Sequence, residues 1–129
     1  MTESELMDLT VLERKKYNYL NEVMDLSRQM GEALDRGDEV SMQMLLALRG
    51  EPIQHLQEVD QTARSRWSSL APEDQQRLQD LRSGAPPRDR GETLFTEQAE
   101  KARRLLERVV ALDRQLSLRM SGDDSFYSQ

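Results

Sequence analysis

The chain contains no cysteine and a single histidine, His55. The first absence excludes a disulfide framework and thiolate chemistry. The second excludes a histidine-built metal site or a Cys–His catalytic pair. Aromatic residues supply only 5% of the 129 residues. No apolar run approaches the roughly 20 residues that cross a bilayer. Glycines are scattered, with Gly31, Gly37 and Gly50 standing alone, so no phosphate-cradling loop exists. Proline is missing from Met1 to Glu51, which leaves that stretch without the residue that breaks helices. Neither strand-like alternation nor an internal repeat occurs. The first ten residues, MTESELMDLT, are acidic and polar and lack the basic and apolar regions of a signal peptide. These absences set the expectation of a cytoplasmic protein that is not an enzyme and holds no cofactor or metal.

What remains is charge and helical periodicity. Charged residues make up 33% of the chain and hydrophobic ones 36%, with a net charge of −6. An acidic balance argues against nucleic acid or an anionic membrane as main partner, since phosphate binding needs clustered Lys and Arg. The composition fits an elongated helical bundle, and the length fits one domain. The expected fold is all-α: an antiparallel hairpin plus a third long helix, a three- to four-helix bundle over residues 1–120. The last nine residues carry no period and read as a disordered tail.

The hairpin's first arm carries Leu6, Leu9, Leu12, Tyr17, Leu20, Val23, Met24, Met30 and Leu34 mostly three or four residues apart, on one side of a helix. Gly37 sits where a C-terminal cap belongs, and Asp38 can cap the start of the next arm. So short a joint returns the second helix antiparallel. That arm bears Met42, Leu45, Leu46, Leu48, Ile53, Leu56, Val59, Ala63 and Trp67. Gly50-Glu51-Pro52 lies within it, so the spacing predicts either one kinked helix over 39–68 or two helices broken at Gly50; the kink fits the unbroken phase better. Pro72 followed by Glu73 and Asp74 is a helix-start signal. The short helix to Arg82 has only Leu78 and Leu81 as apolar residues and is expected to contribute little core. Residues 83–92, SGAPPRDRGE, read as a loop, expected to be mobile. The third long helix is expected from about Leu94 to Met120. Its Ala102, Leu105, Leu106, Val109, Leu112, Leu116 and Met120 mark an apolar side with coiled-coil spacing. Glu97 with Lys101 and Glu100 with Arg104 are acid-before-base pairs four residues apart.

Three polar features read as ordinary surface. His55 is a boundary residue, Arg14-Lys15-Lys16 a solvated face, and the acidic pairs Glu73-Asp74 and Asp123-Asp124 a helix start and a tail. Two features point toward binding. Methionines at 24, 30, 42, 44 and 120 lie on or near the apolar stripes, where they either fill core or serve an adaptable surface. The C-terminal helix either closes the bundle or leaves the hairpin open, and an apolar groove between helices is the usual seat for a partner's amphipathic helix.

The segment Leu9 to Ser69 resembles the FlgN type of bacterial flagellar export chaperone. The likeness rests on the long first helix, the Gly37-Asp38 joint, Leu45-Leu46 and Arg49 early in the second arm, then Ile53 and Val59-Asp60. The pattern Leu105-Leu106-Glu107 to Leu112-Asp113 adds to it, while Gly50-Glu51-Pro52 departs from it. The resemblance implies a small, non-enzymatic protein of the cytoplasm. It would bind the C-terminal amphipathic helix of hook–filament junction proteins (flagellar hook-associated proteins) and hold them for type III export. On this reading Leu105, Val109, Leu112 and Leu116 form the partner-contact stripe. Two other readings use the same stripes: a self-associating structural coiled coil such as a homodimer, and an acidic helical regulator that sequesters a partner protein.

Overall fold

A computed structural model describes residues 1–121. Among them run four helices and no strand: α1 (Glu3–Arg36), α2 (Glu39–Ser68), α3 (Pro72–Arg82) and α4 (Arg90–Ser121). The tail beyond Ser121, with Asp123 and Asp124, lies outside the described residues.

The caps explain why the first two helices begin and end where they do. The Thr2 hydroxyl accepts from the Glu5 N–H while the Glu5 carboxylate accepts from the Thr2 N–H, a reciprocal box that starts α1. Gly37 closes α1 at φ 66°, in the left-handed region that glycine enters without penalty. The N–H groups of Gly37 and Asp38 return to the carbonyls of Leu34 and Ala33. Asp38 then accepts from the Ser41 N–H at 3.0 Å and the Ser41 hydroxyl at 2.6 Å, which starts α2. These Ser41 bonds hold the Asp38 carboxyl below the usual carboxylate range. α2 runs through Gly50 and Pro52 as one helix, so the broken alternative is not what forms.

α1 is the axis of the bundle. α2 returns antiparallel along one flank and α4 runs parallel along the other; both pack on α1 more than on each other. The parallel sense shows at both ends. Gly91 lies against Leu6 near the start, and Arg119 reaches Asp35 at 2.6 Å near the finish. Three apolar clusters follow one another along α1. The first joins Leu6 and Leu9 to Leu70, Leu78, Leu81 and Phe95. The second joins Leu20, Val23 and Met24 to Leu105 and Val109. The third, by the hairpin turn, joins Met30 and Ala33 to Met42, Leu45 and Leu116.

Two expectations about the elements need correction. α3 is a genuine core element, because Leu78 and Leu81 are almost wholly buried against α1 and α4. Two leucines suffice because the helix sits where three others converge. α4 starts at Arg90, several residues before the expected Leu94, and the 83–92 segment is tied at its C-terminal end. The Asp89 carboxylate accepts from the Glu92 N–H at 2.9 Å, capping α4. Glu92 in turn accepts from the Arg88 N–H at 2.8 Å and from Arg77 at 2.7 and 3.1 Å. Arg77 also donates to the Pro86 carbonyl, so one guanidinium gathers the loop. The Arg77 bonds, helped by the Arg88 N–H, pull the Glu92 carboxyl down to about 2 against the opposing effect of its burial.

Candidate partner-binding surface

The side chains expected to contact a partner are turned inward. Leu105, Val109 and Leu116 are buried, Leu116 to 2% exposure, and Leu112 is half-buried beside them. Their partner is α1. The physical reason is that spacing by three and four identifies a face that seeks cover but not what covers it. α1 offers a matching stripe, and Leu116 passes Gly31 at ordinary van der Waals distance, 3.8 Å from where a Cβ would stand. This stripe is therefore intramolecular core, and a partner needs another surface.

A polar knot ties the three long helices nearer the hairpin turn, between the second and third apolar clusters. Arg49 of α2 donates to Asp113 of α4 at 2.5 Å and to the buried Ser27 hydroxyl of α1 at 3.3 Å. Arg49 and Asp113 both belong to the pattern that resembles the flagellar chaperones, yet nothing in the sequence joined them. The Arg49 Nε is buried without a hydrogen-bond partner.

Toward the opposite end from the hairpin turn, α3 occupies the gap that α2 and α4 leave over α1. α3 has 11 residues against 34 in α1, so it fills only part of a fourth helix position. Its C-terminal Arg82 bonds to Glu13 of α1 at 2.6 Å and lies 5.7 Å from the ring centres of Trp67 on α2 and Phe95 on α4. A recess opens on each side of this end. The larger, about 380 Å³, lies between α1, α2 and α3, with Leu9, Leu12, Val59, Ala63 and Trp67 as its apolar lining. The smaller, about 130 Å³, lies between α1, α3 and α4 and includes Ala99 and Leu106. Glu13, Lys16 and Arg82 line both. Lys16, read from sequence as part of a solvated basic run, is thus half-buried at the head of the gap.

Beyond α3 the row continues with Leu106 and Val110, exposed by 37% and 40%, and reaches the Arg49–Asp113 tie one turn later. Its outer rim is charged: Glu100 pairs with Arg103 and Arg104, and those bonds lower its pKa. Of the two ion pairs expected on α4, Glu100–Arg104 is present at 2.8 Å; Glu97–Lys101 is not among the ion pairs of the described residues.

The methionines divide. Met24, Met30 and Met42 are core, Met120 is half-buried, and Met44 stands exposed. Leu48, expected in the α2 stripe, is also exposed, while Val40, which no stripe included, is the most exposed large apolar residue among the described residues. His55 is half-buried and stacks on Tyr19 with ring centres 5.0 Å apart, as a boundary residue would. Among the described residues no group of His, Asp or Glu is arranged to hold a metal ion, and no helix is long and apolar enough to cross a membrane. No family model, curated protein or solved structure matches the chain.

Proposed function

We propose that this protein is a non-enzymatic holder of a partner's amphipathic helix, seated in the gap that continues the line of α3 between α2 and α4. The observation that carries the reading is the pair of recesses around the end of α3, sharing Glu13, Lys16 and Arg82 and leading to exposed Leu106 and Val110. A helix laid there would cover apolar side chains on α1, α2 and α4 while its polar flanks meet the charged rim. The resemblance to FlgN-type chaperones names the client class. It is the C-terminal helix of a hook–filament junction protein, held in the cytoplasm for type III export. The hairpin with its Gly37-Asp38 joint supports that resemblance; the contact residues move from Leu105, Val109, Leu112 and Leu116 to the row of Leu106 and Val110.

The test is calorimetry with a synthetic peptide of the client's C-terminal helix. Leu106→Asp with Val110→Asp is expected to abolish uptake while circular dichroism stays helical. Uptake unchanged by this pair would remove the gap as the seat. If sedimentation instead shows a dimer that the same pair dissolves, and no peptide binds, the row serves self-association.

A further inference from the structure

On the outer side of the hairpin, away from α3 and α4, a second apolar row is left uncovered. Val40, Met44 and Leu48 of α2 are exposed by 81%, 56% and 49%. They are four residues apart and so form one ridge, about 12 Å long at 1.5 Å per residue. The next step along the ridge is Pro52, which is buried in a shallow groove between α1 and α2 that Leu48 and Leu26 also line. This groove holds about 370 Å³ and carries three carboxylates, Glu22 and Asp25 from α1 and Glu51 from α2, with no Lys or Arg in its lining. Counter-charge is scant. Arg28 stands 3.9 Å from Asp25, His55 stands 3.9 Å from Glu51, and Glu22 has no ion-pair partner among the described residues.

An apolar floor with a rim of one sign selects its occupant by charge. In a two-fold symmetric pair of this face, a second copy would bring Glu22, Asp25 and Glu51 against acids of the same kind, and like charges across an interface oppose pairing. Nucleic acid is repelled for the same reason. We infer that this face of the hairpin docks a basic amphipathic helix, one with an apolar row flanked by Lys or Arg, from a second partner. The site is separate from the gap beside α3 and does not depend on the client reading. It makes the molecule two-sided, able to hold one helix on its α3–α4 side and another on its hairpin side.

The experiment uses the full chain and two synthetic helical peptides with the same leucine row, one flanked by lysines and one by glutamates. Calorimetry at low and high ionic strength is expected to show binding of the lysine peptide only, weakening as salt rises. Glu22→Lys with Glu51→Lys, and separately Met44→Asp, are each expected to weaken it about tenfold or more. All three positions are on exposed surface, so folding is expected to survive, and circular dichroism checks this. Several results would overturn the inference: equal binding of both peptides, binding of neither, or a lysine-peptide affinity that these substitutions leave unmoved. Loss of binding in Leu106→Asp would place the peptide in the α3–α4 gap and also overturn it. So would a dimer, seen by sedimentation, that Met44→Asp dissolves.

Discussion

Arg49 spends its charge inside the bundle, where a guanidinium is costly unless its donors are met. Asp113 and Ser27 meet one end of it, and the half-exposed Asp113 keeps contact with water. Removing only the acid leaves the guanidinium under-partnered; removing Arg49 and Asp113 together relieves that cost. A double-mutant cycle of Arg49→Met and Asp113→Asn, read by urea unfolding, is expected to give a coupling of about 1 kcal/mol or more. Additive losses would show that the knot contributes packing alone. Glu92 is the other paired charge of consequence. Its carboxyl is held near 2 against an ordinary 4.5, so the folded state binds its proton less readily than the unfolded chain. The stability it contributes is therefore complete above about 4.5 and is withdrawn as pH falls from there toward 2. Glu92→Gln is expected to cost about 1.5–3 kcal/mol at neutral pH, the range for hydrogen bonds to a charged group. The gap between native and variant proteins is expected to narrow over the acid window. A gap that stays constant through that window would remove Glu92 as the titrating group.

The helices were more legible as objects than as neighbours. Gly37-Asp38 and Pro72 announce their boundaries because a left-handed turn, a carboxylate cap and a missing N–H each admit few residue types. The α4 start was announced too, by Asp89 three residues before Glu92, but the surrounding prolines and glycine drew the reading toward loop. Which face meets which helix was not legible. The Arg49–Asp113 bond spans 64 residues, and periodicity inside one helix carries no record of the other. Thr10, Glu13 and Ser27 are buried and polar, so a stripe drawn from apolar residues passed them by. The difference between buried and exposed rows on α4 can be tested. Leu116→Asp is expected to unfold or severely weaken the protein, since it buries a charge without a partner. Leu106→Asp, on a side chain more than a third exposed, is expected to change the urea midpoint little. Equal losses at both positions would contradict the packing described. Leu78→Ala is expected to cost about 2–5 kcal/mol, far more than a peripheral helix would show.

At the scale of the molecule, the three apolar clusters are strung along one continuous helix. α1 contributes to each, so none can melt without loosening the helix that organises the others. Leu78→Ala at one end and Met42→Ala at the other are expected to lower a single unfolding midpoint, observed alike by tryptophan fluorescence and circular dichroism. Trp67 reports the end near α3, and the helical signal reports the whole. Two separated transitions would instead make the hairpin end a unit of its own.

The parallel pairing of α1 with α4 also has a consequence in time. A ribosome delivers α1 first and α4 last. The nascent hairpin must therefore wait with Leu20, Val23 and Met24 still lacking Leu105 and Val109, the side chains that complete their cluster. Chains interrupted before Arg90 would emerge with that flank bare and adhesive, prey to clumping or to housekeeping proteases.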